Sequence, residues 1–419
     1  MTRNNYWKII IFIVLFLILS LLSLNRHSRA GISSYHSEIW SDKAGYYVYL
    51  PAFFIYNFEA NKFPNDIDLK TGNGFLLDKT TNKVVTKYSY GVALMQSPFF
   101  LGAHFITKQV GKEADGFSIL YNKMIDISAV FYALSGLLLL YLFLINYINY
   151  RIVIFSLAIL FFGSNLFYYA IFDTGMSHIY SFFLFSTFLY LSNKIFKDGS
   201  KLWQYIIFGL VVGLIIAVRP VNILFLPVFL FFNSKIKLKY SIFVIFFATL
   251  VMLPQLFYWK YLSGNLFLYT YNNEGFTNFF NPKILQLWFS TNNGLFLYNP
   301  MILLSLIGLF FLRKTNSKFT YYLSGYFILI SYIFSSWWSW SYGCSYGCRP
   351  YVEYYTLLSF PLCFCSEYIL KSSSKKFFLL IIILLALWNL KLIFSYDGCW
   401  NFGDWDWSEF KNLLFGSTK

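Results

Sequence analysis

Apolar residues along this chain gather in long runs rather than in the strict alternation of half-buried strands. The runs are Trp7–Leu24, Ile127–Asn146, Ile152–Phe172, Ser177–Ser192, Leu202–Val218, Val221–Phe232, Tyr240–Tyr258, Gly294–Leu312, Phe319–Ser336, Tyr351–Leu370 and Phe377–Phe394. A helix needs about 20 mostly apolar residues to cross a bilayer. The pattern therefore predicts an all-α integral membrane protein of about eleven transmembrane helices. Val221–Phe232 is short and follows Arg219-Pro220, which is read as the turn of a hairpin. Tyr88–Thr107 is apolar but interrupted by Gln96, Pro98 and His104, and is read as a helix lying on the outer membrane surface. The first run resembles a signal peptide, yet it is longer than a usual signal core and many runs follow, so it is read as an uncleaved first span.

Charge orients these spans. With the N-terminus inside, the predicted inner segments carry Arg3 and Lys8, then Arg151, then Lys194, Lys197 and Lys201, then Lys235, Lys237 and Lys239, then Arg313, Lys314 and Lys318, and finally Lys371, Lys375 and Lys376. The outer connections hold far fewer cations, which is the positive-inside pattern and predicts an N-in, C-out order. The net charge of +15 is thereby explained by topology. No basic stripe interleaved with stacking aromatics points to nucleic acid. A single polytopic domain, 1–419, is expected in the cell inner membrane, with a first extracytoplasmic loop over 25–126 containing interfacial helices and an extracytoplasmic tail over 396–419.

Composition adds one point. Charged residues are 12% of the chain, against about a quarter in soluble domains. Of five cysteines, Cys363 and Cys365 fall in an apolar run and read as packing residues, whereas Cys344, Cys348 and Cys399 lie on the predicted outer side, where one pair could be oxidised.

The candidate chemistry comes from polar side chains near the outer ends of spans, where ionisable groups are costly and often functional. Asp42, Lys87, Asp173, His178, Arg219, Arg349 and Glu353 are far apart in sequence and share that predicted face. Asp42 could take a proton from a hydroxyl nucleophile, or simply cap a helix over Lys43–Tyr49. Glu38 is the alternative base. Lys87 and Arg349 suit a phosphate, Lys as a point charge and Arg as a planar fork, while Arg349 could equally pair with Glu353 at helical spacing. Arg219 could reach a phosphate or snorkel to the surface. Asp173 beside His178 could orient a substrate, though a histidine at a helix start is more often a capped polar residue. Asp404-Trp405-Asp406 has the form of a metal-binding DxD, but two isolated acids in a tail read better as solvated side chains. No nucleotide loop, HExxH or GxSxG is present.

Five segments together resemble the C-type membrane glycosyltransferases, a superfamily that includes protein O-mannosyltransferases and the lipid A aminoarabinose transferase. They are Trp40-Ser41-Asp42-Lys43-Ala44-Gly45-Tyr46-Tyr47, Lys87-Tyr88-Ser89-Tyr90-Gly91, Met176-Ser177-His178-Ile179-Tyr180-Ser181-Phe182-Phe183, Val218-Arg219-Pro220, and Trp337-Trp338-Ser339-Trp340 through Tyr346-Gly347-Cys348-Arg349-Pro350. Ser89 replaces the usual proline of the second motif, and no second acid stands directly beside Asp42. The resemblance implies transfer of a sugar from a polyprenyl-phosphate donor to a hydroxyl of a lipid, glycan or protein acceptor, by an inverting route on the extracytoplasmic face. It implies Asp42 as catalytic base, Lys87 and Arg349 with Arg219 as donor-phosphate contacts, and Asp173, His178, Glu38 and Tyr88 lining the acceptor or sugar side. No metal ligand is assigned, and the cofactor is left open: a divalent cation is possible but not indicated. The alternative is a transporter or flippase of a lipid-linked saccharide. That would favour broken helices near the midplane and a repeat between halves, and the sequence shows no such repeat.

Overall fold

A computed structural model describes residues 3–27, 31–195, 201–232, 238–271, 274–399 and 403–415; Lys197, Lys235 and Lys237 of the basic segments lie outside them. The described chain is mostly helical, with one two-stranded sheet. Among the described residues four helices are long and apolar enough to cross a membrane: Ile9–His27, Ile119–Leu144, Tyr240–Ser263 and Lys375–Ser395. Tyr150–Phe162 and Asn165–Ile171, bent by 68° at a short break, make a fifth if taken as one span. Leu202–Val218, Pro220–Phe231 and Met301–Arg313 are shorter apolar helices. The expected span Val221–Phe232 is largely a 3-10 run, Pro220–Val228, closed by one α-turn, Phe229–Phe232. Pro220 and Pro227 each remove a backbone donor there. Exposed Ile, Leu and Phe cover these helices; Ile242, Ile245, Phe246 and Leu250 project from Tyr240–Ser263 alone. In water so continuous an apolar surface would aggregate, and lipid is its natural solvent.

The chain forms two compact units, one of residues 1–139 and 169–270, the other of 140–168 and 271–419. In the first unit the long loop has its own aromatic core. Helices Asp42–Tyr47 and Tyr49–Phe54 pack with the helix Gly91–Gln109. Tyr47, Tyr49, Phe63, Phe75, Phe100, Phe117 and Tyr121 are buried between them. Strands β1 (Leu76–Asp78) and β2 (Lys83–Val85) form an antiparallel hairpin. Its turn is held by Asp78, whose carboxylate accepts from the amides of Thr80 and Thr81 at 3.0 and 3.2 Å, an Asx-type turn. The span Tyr240–Ser263 anchors the loop. Tyr258 accepts from the Thr86 amide at 2.9 Å, Tyr261 donates to the Phe58 carbonyl at 2.8 Å, and Gln255 accepts from the Tyr90 amide at 2.9 Å.

In the second unit the break after Phe162 frees backbone groups inside apolar surroundings, and buried asparagines take them up. Asn389 donates to the carbonyls of Phe162 and Ser164, both at 3.2 Å. The Asn165 amide donates to Asn299 Oδ1 at 2.6 Å, and Tyr355 donates to Asn165 Oδ1 at 2.7 Å. Buried backbone groups freed by a break in a helix need protein partners of this kind.

Of the three cysteines expected on the outer side, Cys344 and Cys399 form a disulfide, whereas Cys348 is free and buried. The bond joins the Trp-rich loop to the segment entering the tail. Its 55-residue separation predicts a contribution of about 4 kcal/mol through restriction of the unfolded chain. Cys399→Ser is expected to lower the midpoint of thermal unfolding in detergent, with dithiothreitol lowering wild type to the same value; an unchanged midpoint in both cases removes the bond from the stability account. Asp406 of the DxD triplet accepts from the Glu409 amide at 3.2 Å and caps the helix Trp407–Phe415, a structural role.

Candidate functional site

Asp42 does not cap the helix it was expected to precede. Ser41 holds the cap position and Asp42 is the first helical residue, half-buried, with the helix ending at Tyr47 rather than Tyr49. Ser41 has φ +51°, a region costly for a side chain other than glycine. The conformation is maintained by Ser41 N–H donating to Thr71 at 2.8 Å and by Gly45 N–H donating to Ser41 at 3.1 Å. Strain of about 1–3 kcal/mol persists only where surrounding structure over-determines it, and such positions concentrate at functional sites.

Four of the sequence-selected segments meet around this helix in the first unit. Tyr46 and Tyr88 pack ring to ring with centroids 4.2 Å apart, and Thr86 donates to the Gly45 carbonyl at 2.8 Å. Lys87 is half-buried beside them, its ammonium 5.5 Å from the Tyr88 ring centroid and its carbonyl bonded by Thr270 at 2.6 Å. Lys43 pairs with Asp173 at 3.0 Å, so this acid answers a lysine of the Asp42 helix. His178, buried at the start of the helix Ser177–Ile195, lies 3.3 Å from an Arg219 guanidinium nitrogen and packs against Tyr169. Close backbone approach joins the remaining pieces: a Cβ on Gly91 would lie 2.3 Å from the Ala217 carbonyl carbon, immediately before Val218-Arg219.

Gly45 is the seam between the Asp42 helix and the Lys87 segment. A Cβ there would lie 2.4 Å from the Tyr88 ring and 2.6 Å from the Gly74 carbonyl oxygen. Gly45→Ala is therefore expected to cost about 1–3 kcal/mol by overpacking. It should also loosen Tyr88, read as higher protease sensitivity of the 42–90 region; wild-type melting and proteolysis would refute the tight seam.

Arg349 belongs to the second unit, where it opens a 3-10 turn, Arg349–Tyr351, beside buried Glu353. The preceding Gly347, at φ +63°, leaves no room for a Cβ against Asn299 and Asn165, which couples the Arg349 loop to the asparagine network at the broken helix.

One cluster was not legible in the sequence. His27, at the end of the first span, lies 2.6 Å from Glu38 through Nδ1 and 3.6 Å from Asp126 through Nε2. All three side chains are at most 8% exposed. Ser23 donates to the Ile171 carbonyl at 3.0 Å, the same carbonyl that His27 Nε2 faces at 3.0 Å, and Thr174 donates to Asp126 Oδ1 at 2.8 Å. Burial raises the Glu38 carboxyl, but the hydrogen bond and charge of His27 outweigh it and hold the group below its ordinary range. Glu38 is thus occupied by His27. The available sequence signal was an ionisable residue at the predicted outer end of each of the first two apolar runs, His27 and Asp126.

No family model matches the sequence, no curated protein matches it, and no solved structure matches its fold.

Proposed function

We propose that this protein is a membrane glycosyltransferase that moves a sugar from a polyprenyl-phosphate donor to an acceptor hydroxyl, with inversion, on the extracytoplasmic face of the cell inner membrane. The observation that carries the reading is the locking of the Asp42 helix to the Lys87–Tyr88 segment through Thr86, Gly45 and the Tyr46–Tyr88 stack. A half-buried carboxylate and a half-buried ammonium thus come from adjoining segments, in the unit that also holds the Arg219–His178 contact. Four long apolar helices supply a lipid environment for an isoprenoid tail. The Cys344–Cys399 bond favours an oxidising side for the Trp-rich loop and the C-terminus, as an N-in, C-out order of about eleven spans requires.

The roles follow from charge. Asp42 accepts the proton of the acceptor hydroxyl as its oxygen attacks the anomeric carbon. The bond from that carbon to the phosphate oxygen breaks with its electron pair, through an oxocarbenium-like transition state, and polyprenyl phosphate leaves. Lys87, with Arg219, meets the negative charge growing on the phosphate, where few waters compete. Asp173 and Glu38 are engaged by Lys43 and His27 and serve to position the neighbouring segments.

The test is reconstitution of the purified protein in liposomes with a radiolabelled polyprenyl-phosphate sugar and a hydroxyl acceptor. Label appearing in the acceptor with inverted anomeric configuration supports the reading. Label crossing the bilayer while still bonded to its phosphate would replace it with a lipid-linked saccharide transporter.

A further inference from the structure

The His27–Glu38–Asp126 cluster gathers one imidazole and two carboxylates in a buried place. With both carboxylates ionised and His27 protonated, the set still carries one uncompensated negative charge in a buried place. The nearby Lys43 directs its ammonium to Asp173. Asp126 is fully buried, and its Oδ2 makes no hydrogen bond among the described residues. A buried, unpaired carboxylate oxygen is costly and asks for a partner.

The ligand atoms are already gathered. One ring nitrogen of His27 and one oxygen each of Glu38 and Asp126 lie within 4.8 Å of one another. Ligand bonds of about 2.0–2.2 Å in tetrahedral geometry put neighbouring donor atoms roughly 3.3–3.6 Å apart. His27 Nε2 faces the Ile171 carbonyl, which leaves Nδ1 as the ligand atom, 2.6 Å from Glu38; the 3.6 Å contact of Asp126 is to Nε2, and the one-nitrogen set as a whole spans up to 4.8 Å. Widening the Nδ1–Glu38 contact by about 1 Å, with Asp126 drawn in to meet the same ion, gives that spacing. The shell around the cluster is built: Thr174 orients Asp126, and Ser23 shares the Ile171 carbonyl with His27. Oriented outer groups of this kind characterise metal centres.

We propose that His27, Glu38 and Asp126 bind a single divalent transition-metal ion. One imidazole and two carboxylates suit zinc or manganese, and a charge of +2 neutralises both acids with His27 in its neutral form. The ion would tie the end of the first span, the start of the long loop and the second span at one point. It is a structural centre distinct from Asp42 and Lys87, and its binding does not depend on the glycosyl-transfer reading. Its rival is a proton that bridges the same three groups.

Full-length protein is purified in detergent, stripped with EDTA, and titrated separately with zinc, manganese and cobalt chloride. Bound metal is measured by mass spectrometry after desalting. The expected result is about one equivalent of zinc or manganese retained, with a rise in the thermal midpoint. Asp126→Asn is expected to weaken binding at least about tenfold, in the range for loss of a carboxylate partner. Should that variant fail to fold, His27→Cys read with cobalt decides: a thiolate-to-cobalt charge-transfer band absent from cobalt-loaded wild type is expected. Wild-type protein that retains no stoichiometric divalent ion and gains no thermal stability from any of the three overturns the proposal and leaves the proton-bridged triad. So does Asp126→Asn that folds and binds as tightly as wild type, or His27→Cys without the new band.

Discussion

Lys43→Met is expected to destabilise the first unit by about 3–5 kcal/mol, as removal of one partner from a buried ion pair does. The Lys43 and Asp173 side chains are 9% and 15% exposed, with nitrogen and oxygen 3.0 Å apart. Methionine keeps most of the volume and removes the charge, so Asp173 remains beneath the surface without its cation. The turn cannot easily move away. A Cβ on Gly175 would lie 2.4 Å from the Glu38 carbonyl oxygen and 2.9 Å from Lys43 Cβ, which shows how tightly Asp173–Gly175 is pressed onto the segment before the Asp42 helix. Thermal unfolding in detergent measures the loss. The double variant Lys43→Met, Asp173→Asn should recover much of it, because no unpaired charge is then buried. A single variant that melts with wild type would show the pair to be solvated and of little energetic weight.

The second large effect is on turnover. On the glycosyl-transfer proposal, Asp42→Asn should lower transfer by about 10²–10⁴-fold, the usual contribution of a positioned general base, while membrane insertion and donor binding persist. Asparagine preserves shape and helix position but cannot take the hydroxyl proton. Lys87→Met should cost about 2–4 kcal/mol of barrier, a factor of about 10² to 10³, by withdrawing a charge from the leaving phosphate. Single-turnover assays with bound donor separate these effects from donor affinity. Asp42→Asn with the wild-type single-turnover rate would eliminate Asp42 as the base.

Much of the architecture was readable because a bilayer imposes a simple length rule. The runs Trp7–Leu24, Ile127–Asn146, Tyr240–Tyr258 and Phe377–Phe394 coincide with the helices ending at His27, Leu144, Ser263 and Ser395, and Ser177 does open a helix, whereas the longest run, Ile152–Phe172, is broken after Phe162. The two prolines of 220–232 were visible as a shortness of that run, but not as a 3-10 winding. Partners were much less readable than elements. Asp173 is three residues from Met176 and five from His178, yet the charge it meets is on Lys43; His178 contacts Arg219. Asp404-Trp405-Asp406 reads in the sequence as solvated side chains rather than as a metal-binding DxD, and Asp406 accepts at a helix start. The Lys43–Asp173 and His178–Arg219 pairings are decided by packing between segments more than 40 residues apart, and no local spacing encodes them. The same reason hid His27 and Asp126, each of which alone reads as a polar residue at the mouth of a span. The cysteine partners were narrowed by sidedness to three, and only the folded chain selects Cys344 with Cys399.

The bend after Phe162 also sets a schedule for biogenesis. The carbonyls of Phe162 and Ser164 receive hydrogen bonds from Asn389, 227 and 225 residues further along. At about 5–20 residues per second a ribosome reaches that asparagine roughly 11–45 seconds after making the bend. During that interval those oxygens lack their eventual donor. A chain cut before Lys375 never receives the donor, so cellular quality control should remove such truncated chains even though their first unit is fully synthesised.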